Sequence, residues 1–524
     1  MTLADIIAPR SGNVKLHFPA ERAAVDYGEL WRAGAAMGRL RAASGGRPAA
    51  VALTNTRACA TVLVGAIAAG LPLVSVPLPP RGSDLEWYAG FVQRICAASG
   101  ATTLLVDGAL LPSLPPLPGV TALSHDDALA MRGRSDADPA AFTLTQFTSG
   151  STADPKGIVL PGAMVRANLL ALMEWLEPVP GDGTCTWLPL SHDMGLIGMF
   201  LGSLTAVGRG LVHDFDLVVM TPQGFLRNPT GWLTACAEFG STFTAAPNYA
   251  FDMAARKRGS VPDLGRLRTC IVGAEPIRPG SLERFAELFA DKGFRPTTFS
   301  PAYGMAEAVL AVTGTAQGDR WRAAELASIP GGAAFADAGG HRVVSSGRPL
   351  PGYEVRVDGD GVGEILVRGP SVAERYADGA PIPDADGWFR TRDLGAVHGG
   401  ELYVIGRTDD VFQVAGRNIY AIDVEAYAAE VAGIRDGRVV AVPEGGELTI
   451  VAECEPGVTG QDDVRRLVQE LSGRIVTRVG VSPKRVLLAR RGALPLTASG
   501  KIRRRPLVAA LESSRLTILA GSRD

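Results

Sequence analysis

The sequence predicts an α/β fold: a large amino-terminal domain of two helix-flanked sheet subdomains plus a small barrel-like subdomain, followed by a small α+β carboxyl-terminal domain. The first 300 residues repeat a short apolar run, a Gly/Pro/Ser loop and an amphipathic stretch, which is typical of parallel sheets covered by helices. From about residue 340 short alternating segments replace the helices, and after residue 410 the pattern becomes compact α+β. The boundary predicts domains of about 400 and about 115 residues.

The individual elements follow the same repeat along the chain. Strand, helix and strand are predicted by AAVAL, TRACATVLVGAIAAG and LPLVSV, because β-branched runs favour strands and small apolar residues favour a buried helix. Later, RTCIVGAEP predicts a strand and RPGSLERFAELFADKG a helix, with Pro279 suited to its first turn. The alternating segments YEVRV, GEILVRG and ELYVIG predict the small antiparallel unit, and DVEAYAAEV, RVVAV, LTIVAEC and DDVRRLVQELSGRI predict the tail domain.

Composition and charge exclude several function classes. The chain has 524 residues, 46% of them hydrophobic and 20% charged, so it can bury large cores in more than one folding unit. Its 52 Lys and Arg against 54 Asp and Glu give a formal charge of −2. No global field therefore favours nucleic acid or an anionic membrane, and we expect no nucleic-acid partner.

Cysteine use and the amino terminus predict the compartment. The six cysteines contain no C-x-x-C pair and the six histidines form no ligand-spaced cluster, so we expect a reduced, cytoplasmic protein without structural zinc. MTLADIIAPRSGNVKLHF has no basic stretch followed by an apolar core, which argues against a secretory signal. The longest uncharged run, residues 58–80, is interrupted by Gly70, Pro72 and Pro77. It predicts a buried helix and a buried strand, with no membrane span.

The first segment with chemical character is TLTQFTSGSTADPKG at residues 143–157. An apolar strand runs into Thr148, Ser149, Gly150, Ser151 and Thr152, and Lys156 follows. Small residues let backbone N–H groups approach an anion, hydroxyls add donors and the lysine adds a compact cation. The segment therefore predicts a phosphate-binding loop with a spacing different from the Walker A motif. A Ser/Thr-rich surface turn is the alternative.

Two further segments follow predicted strands. TWLPLSHDMGLIG places His192 and Asp193 between an apolar strand and a Gly-interrupted helix, where a hydrogen-bonded core histidine is the alternative interpretation. VGAEPIRP ends a strand in Gly273 and Ala274, with Glu275 next. Backbone exposed there occupies the position at which open α/β sheets bind nucleotides, although an ordinary strand-to-helix turn would give the same pattern.

The remaining segments carry aromatic, acidic and basic side chains. FSPAYGMAEAVL offers the Tyr303 ring for stacking, a close backbone approach at Gly304 and a carboxylate at Glu307, with a plain helix face as the alternative. WFRTRDLG offers Asp393, which can accept two hydroxyl donors. LPLTASGKIRR presents Lys501 in a tight loop, where the alternative is a solvated basic patch.

Taken together, these six segments resemble the adenylate-forming superfamily of acyl-CoA synthetases, nonribosomal adenylation domains and luciferases. HDMGLIG, YGMAEA and VAGRNIYAIDVE at residues 414–425 are similar to its fatty acyl-AMP ligase branch. Ala153 stands where the phosphate loop usually has Gly, as that branch commonly shows. Residues 315–345 are interpreted as a shortened form of an insertion typical of the branch.

The resemblance implies a role for each motif residue, with ATP and Mg²⁺ as cofactors. Lys501, His192 and Glu307 would be catalytic, Glu307 would also hold the metal, and Asp409 would be the hinge residue. Residues 1–406 would then form the large adenylation domain, 407–410 the hinge and 411–524 a mobile domain carrying the catalytic lysine. The implied nucleotide contacts are Thr148, Ser149, Gly150, Ser151, Thr152, Lys156, Gly273, Ala274, Glu275, Tyr303, Gly304, Met305, Asp393 and Arg407, and the implied acyl-pocket residues are Asn248, Tyr249, Phe251 and Met199.

The implied activity is activation of a carboxylic acid, such as a fatty acid, to an acyl-adenylate with release of pyrophosphate. The acyl group would then pass to the phosphopantetheine thiol of a carrier protein acting in trans, in lipid or natural-product biosynthesis. An acyl-CoA synthetase or an amino-acid-activating enzyme of the same superfamily is the first alternative. A catalytically silent protein that binds nucleotide or acyl chain is the second.

Overall fold

A computed structural model describes most of the chain. The described residues are 1–10, 12–79, 84–147, 156–257, 261–329, 332–336, 341–359, 361–414, 417–444, 447–458, 460–496, 502–513, 516 and 518–521. Of the predicted site residues, Thr148, Ser149, Gly150, Ser151, Thr152 and Lys501 lie outside them.

The strands alternate with helices through the first 300 residues, as predicted. In chain order they are β1 (Val14–Phe18), β2 (Ala23–Asp26), β3 (Ala49–Ala52), β4 (Leu73–Val76), β5 (Thr103–Val106), β6 (Thr121–Ser124), β7 (Thr143–Phe147), β8 (Gly157–Pro161), β9 (Thr184–Thr186), β10 (Phe215–Val219), β11 (Phe243–Ala246), β12 (Thr269–Val272), β13 (Phe299–Gly304), β14 (Ala311–Gly314), β15 (Ala323–Ile329), β16 (Gly332–Ala336), β17 (His341–Val344), β18 (Arg348–Pro349), β19 (Glu354–Val357), β20 (Gly363–Arg368), β21 (Phe389–His398), β22 (Glu401–Arg407), β23 (Val411–Val414), β24 (Arg417–Tyr420), β25 (Ile434–Glu444), β26 (Glu447–Cys454), β27 (Arg485–Ala489) and β28 (Ile518–Gly521).

The helices lie mainly between the parallel strands. They are α1 (Leu3–Ile7), α2 (Tyr27–Ala33), α3 (Ala36–Ala43), α4 (Arg57–Ala69), α5 (Leu85–Ser99), α6 (His125–Ala130), α7 (Gly162–Leu176), α8 (Gly202–Gly208), α9 (Pro222–Arg227), α10 (Pro229–Glu238), α11 (Asn248–Arg256), α12 (Pro279–Leu288), α13 (Ala421–Ala429), α14 (Gln461–Val479) and α15 (Arg504–Glu512). A π-helix over Met194–Leu201 precedes α8.

Two large sheets account for most strands of the first 350 residues, and their strand orders decide which strand ends lie next to one another. One has the order β6-β5-β3-β4-β7-β8 and is parallel except for β8. The other has the order β18-β14-β13-β12-β11-β9-β10-β1-β2, with parallel pairing from β13 to β1 and antiparallel strands at both ends. The prediction of helix-flanked parallel sheets is confirmed.

Smaller antiparallel units follow, as the alternating segments predicted. Strands β19 to β22 form a four-stranded sheet, and β15, β16 and β17 form a three-stranded sheet within the predicted insertion. In the tail, β25 to β28 form a sheet covered by α13 and α14. Two core clusters there contain only residues from Val414 onward, and a third packs Tyr420 against residues of the preceding sheets such as Leu326 and Tyr403.

The long uncharged run forms a buried helix and a buried strand, as expected. Thr56 caps the first turn of α4 by accepting a hydrogen bond from the Cys59 N–H, and Gly70 ends the helix at φ 69°. That left-handed conformation favours glycine. Strand β4 is buried throughout. Within the described ranges we find no helix with the length and apolarity needed to cross a bilayer.

Candidate active site

The carboxyl ends of four adjacent parallel strands bring the predicted motifs to one edge of the nine-stranded sheet. Strands β9, β11, β12 and β13 are neighbours there, and each runs directly into a motif segment at its carboxyl end. Open α/β sheets bind ligands at this edge because the strand ends leave backbone groups and loops free. The fold therefore assembles segments that lie more than 100 residues apart in the sequence.

Tyr303 and Asp393 meet at this edge from two different sheets. The Tyr303 hydroxyl donates a hydrogen bond of 2.7 Å to Asp393 Oδ2, and Arg407 Nε lies 3.1 Å from Asp393 Oδ1. Asp393 and Arg407 are register partners across β21 and β22. Burial, followed by the charge of Asp393, raises the pKa of Tyr303, so the ring carries a neutral phenol. Both carboxylate oxygens are thus held in fixed positions.

Glu307 sits beside this pair in an acidic environment. It lies in a short 3₁₀ turn, Ala306–Ala308. Burial raises the pKa of Glu307, the charges of Asp393 and Asp193 raise it further, and a backbone hydrogen bond and Arg407 oppose the shift. Burial, the largest of these causes, disfavours the ionised form of Glu307, and a bound cation would stabilise that form.

The donor set fits a hard divalent cation bound partly through a ligand. Among the described ranges no group of three or more His, Cys, Asp or Glu residues is arranged to hold a metal ion. Mg²⁺ needs no such group when phosphate oxygens and water complete its coordination, because it commonly binds through one or two protein carboxylates. The carboxylate of Glu307, with its raised pKa, fits that mode.

His192 and Asp193 form a pair at the start of the π-helix. His192 Nδ1 lies 2.6 Å from Asp193 Oδ1, and the same oxygen accepts a hydrogen bond of 2.7 Å from the Met194 N–H. π-Helices are often found at functional sites. Asp193 orients the imidazole and also contributes charge near Glu307, a second role that the sequence analysis did not assign.

Left-handed backbone occurs at three of the motifs. Ala274, Val309 and Arg392 have φ values of 65°, 70° and 61°. Such conformations are uncommon outside glycine and most unusual for a β-branched residue. At Gly304 the chain passes so close to itself that a Cβ would lie 1.8 Å from the Leu310 carbonyl oxygen. The backbone of these motif segments is therefore held in conformations that the rest of the fold must enforce.

Of the residues predicted to bind phosphate in the segment 148–156, the structure describes Lys156. This lysine lies near Tyr376, which is also influenced by the charge of Glu307. Phe147 and Gly157 are register partners on either side of residues 148–155. Lys156 Nζ lies 5.2 Å from the ring centroid of Tyr376, a favourable cation–π distance. Burial, then the charge of Glu307, raises the pKa of Tyr376. Tyr376 thus lies near the lysine and is influenced by the charge of Glu307, and no motif in the sequence pointed to it.

The four predicted acyl-pocket residues occupy different environments. Asn248 is buried and its Nδ2 donates to Asp252 and Ser281, joining α11 to α12. Phe251 is fully buried and packs in the aromatic core, and Met199 is buried within the π-helix. Tyr249 is half-buried, and its N–H donates to Glu275 Oε1 at 2.6 Å. Among these four, Tyr249 has the most exposed surface at the strand-end edge.

The segment around Lys501 is anchored to the hinge region by its described neighbours. Leu496 and Ile502 form an antiparallel bridge, and Arg504 Nε lies 2.9 Å from Asp410 Oδ1. The predicted hinge residue Asp409 pairs with Arg392 at 2.7 Å. The predicted hinge segment therefore contacts β21 through Arg392 and the start of α15 through Arg504.

Comparison with known proteins agrees with this assembly. A family model described as AMP-binding enzyme matches residues 9–377. The long-chain-fatty-acid–AMP ligase FadD32 of Mycolicibacterium smegmatis is 32% identical over 468 residues, covering 76% of this chain and 72% of that protein. The 4-hydroxyphenylalkanoate adenylyltransferase of Mycobacterium marinum is 32% identical over 498 residues, covering 84% and 78%. A solved structure from a study of fatty acyl-adenylate ligases of E. coli and L. pneumophila matches with a TM-score of 0.85 and 25% identity, covering 98% of both chains. The chain therefore belongs to the AMP-binding enzyme family, in its fatty acyl-AMP ligase branch.

Proposed function

We propose that the protein activates a fatty or related carboxylic acid as an acyl-adenylate and then passes the acyl group to the thiol of a carrier protein. The observation that carries the proposal is the grouping of Tyr303, Asp393, Arg407 and Glu307 at the strand-end edge. Relatives named as fatty-acid–AMP ligases support the fatty acid as the substrate class. The buried, unpaired state of all six cysteines supports a reducing compartment, the cytoplasm.

The reaction needs charge neutralisation more than proton transfer. A carboxylate oxygen attacks the α-phosphorus of ATP, an O–P bond forms, the bond to the bridging oxygen breaks, and pyrophosphate leaves. The carboxylate is already ionised at neutral pH, so the step requires no general base. Two anions must instead be aligned and their repulsion screened in the transition state.

We assign nucleotide binding to residues at the carboxyl-terminal edge of the nine-stranded sheet and to neighbouring segments. The Tyr303 ring would lie against adenine, and Asp393 would accept hydrogen bonds from the ribose hydroxyls while Arg407 holds it in place. Glu307 would hold Mg²⁺, with the phosphate loop at Thr148–Thr152 and Lys156 contacting the phosphate oxygens. When bound, the ion supplies positive charge that offsets the charge of the phosphates.

We assign Lys501 to the first half-reaction, which forms the acyl-adenylate, and the hinge to the change to the second, which transfers the acyl group to the thiol. Lys501 would bind the acyl carboxylate and the α-phosphate during adenylation, and His192 would lie beside the acyl carboxylate. Rotation of the tail domain about Asp409 would then remove Lys501 and admit the carrier thiol. The sulfur attacks the acyl carbon, a thioester forms, and AMP leaves. The contacts of Asp409 and Asp410 with residues on either side of the hinge support this division.

Two assays test the proposal in sequence. Acid-dependent exchange of radiolabelled pyrophosphate into ATP, with mass spectrometry of the adenylate, tests the first half-reaction. Absence of exchange with any carboxylic acid would favour the catalytically silent alternative. Transfer to holo carrier proteins compared with free coenzyme A tests the second half-reaction, and efficient use of coenzyme A would favour an acyl-CoA synthetase.

A further inference from the structure

Trp187 carries a buried hydrogen-bond donor that finds no acceptor among the described residues. The residue is 2% exposed, and within that part of the chain its indole Nε1 has no hydrogen-bond partner. In the same aromatic cluster Trp232 donates from Nε1 to Thr244 Oγ1 at 2.8 Å. Buried tryptophans usually find such a partner, and a buried donor without one requires an explanation.

Trp187 lies at the same edge of the sheet as the residues proposed to bind the nucleotide and the acyl group. Along the strand-end edge, Tyr303 belongs to β13, Ala274 follows β12, Tyr249 follows β11 and Trp187 follows β9, in the spatial order of those strands. The Trp187 and Tyr249 rings meet edge to face with centroids 6.3 Å apart. If the proposed nucleotide site lies at β12 and β13, an acyl group directed along this edge towards β9 would pass Tyr249 before it reaches Trp187. His192 lies five positions after Trp187 on the same segment.

The surroundings of the indole are apolar and rigid. Phe225 stacks on Trp187 with centroids 3.8 Å apart and an angle of 8° between the ring planes. Met194 and Met199 are buried in the same core cluster, with Met220 and Tyr249 packed against it. Thioethers and aromatic rings are at best weak acceptors. The indole is thus stacked within an apolar cluster, and the Tyr249 hydroxyl, which could accept, makes no hydrogen bond with its Nε1.

We propose that the acyl pocket selects an acid bearing an oxygen acceptor, such as a carbonyl, on its chain, and that Trp187 donates a hydrogen bond to that oxygen. The inference rests on the proposed acid-activating function and narrows its substrate class. A pocket that contains a buried polar group discriminates strongly between a substrate that pairs with it and an analogue that does not. An unsubstituted alkyl chain would leave the indole N–H unsatisfied.

The test compares acids that differ only by one carbonyl. Octanoic and dodecanoic acids are each assayed beside their positional series of mono-oxo acids, with pyrophosphate release as the readout. We expect at least one oxo isomer to exceed its parent acid in kcat/KM by about tenfold or more. Equal or lower kcat/KM for every oxo isomer overturns the inference, and that comparison needs no variant.

Trp187→Phe keeps the ring stack on Phe225 and removes the donor. We expect the ratio of kcat/KM for the oxo acid to kcat/KM for the parent acid to fall by about tenfold in this variant. Trp232→Phe is the matched control, because the N–H it removes already has a partner in Thr244, and it should keep the preference. Retention of the preference in Trp187→Phe overturns the inference.

The two proposals fail in distinguishable ways. If no acid of either series or any other class supports pyrophosphate release, the acid-activating function and the Trp187 inference both fall. If the parent acids form adenylates and the oxo acids gain nothing, the activating function stands and the Trp187 inference alone is overturned. That second result is also what a buried water bonded to the indole would produce.

Discussion

The hydroxyl of Tyr303 donates to Asp393 Oδ2 at 2.7 Å and thereby joins the nine-stranded sheet to the four-stranded antiparallel sheet. The contact spans 90 residues of sequence. It leaves Asp393 in a defined orientation, with its other oxygen against Arg407. A carboxylate ordered before the nucleotide arrives binds it with less loss of conformational freedom.

Removing the carboxylate of Asp393 should therefore weaken nucleotide binding. Asp393→Ala is expected to raise the KM for ATP by about 100-fold, because two charge-assisted hydrogen bonds to the ribose would be lost. Tyr303→Phe keeps the ring and loses only the donor, so the KM should rise by no more than about fivefold. Pyrophosphate exchange at varied ATP measures both, and an unchanged KM in Asp393→Ala would contradict the assigned role.

Glu307 should control the response to magnesium. Glu307→Gln keeps the size of the side chain and removes the charge, and we expect kcat to fall by about 100-fold or more at saturating ATP. The Mg²⁺ concentration giving half-maximal rate should rise in parallel. Glu287→Gln, an exposed change on α12, is the matched control. A Mg²⁺ titration identical in the wild type and Glu307→Gln would exclude Glu307 as a ligand.

Glu307→Gln should lower activity but stabilise the nucleotide-free protein relative to the wild type as the pH rises, because the pKa of Glu307 is raised in the folded state. Because the folded-state pKa lies above the ordinary value of 4.5, the folded protein binds this proton more tightly than the unfolded chain. Its contribution to the free energy of unfolding is therefore largest below pH 4.5 and falls as the pH rises through the folded pKa. In nucleotide-free protein the Tm of Glu307→Gln relative to wild type should increase from pH 4.5 to pH 8. A Tm difference independent of pH would refute this.

Lys501 should matter for chemistry and little for ATP affinity. Lys501→Ala is expected to reduce acyl-adenylate formation by about 1,000-fold, since a charge aimed at the transition state is lost. ATP binding, followed by isothermal titration, should change by less than about threefold. Lys484→Ala is the matched control, because this tail-domain lysine pairs with Glu447 away from the proposed site. Normal pyrophosphate release by Lys501→Ala would contradict the proposed role.

Asp252 should be required for stability. Its buried carboxylate accepts hydrogen bonds from Asn248, Ser281, Arg278 and Arg284, and so connects α11 and α12. Asp252→Ala is expected to lower the free energy of unfolding by about 1 to 3 kcal/mol, because the buried Asn248 and Ser281 lose an acceptor while the partly exposed arginines remain hydrated. Urea denaturation measures the change. Asp291→Ala, an exposed aspartate, should shift the midpoint by much less.

Local sequence predicted most of the elements and the segments that carry the site. Helix α12 begins at Pro279 as expected, because proline fits the first helical turn. The residue types of the motifs also marked Tyr303, Glu307 and Asp393 as candidates, since aromatic and acidic side chains after buried strands indicate a binding edge, and their roles stay a prediction. Tyr376 and the second role of Asp193 were missed, because each depends on a neighbour remote in sequence.

The sequence by itself determined the secondary structure, the alternation that yields parallel sheets, and the order of the motifs, because hydrophobic periodicity and glycine or proline placement act over a few residues. Only the tertiary structure decided which side chains meet. It placed Phe251 in an aromatic core, Asn248 in a buried network, and Trp187 beside Tyr249 with no acceptor for its donor in the described part of the chain. These outcomes depend on strand order and layer packing, which distant parts of the chain set together and no local pattern encodes.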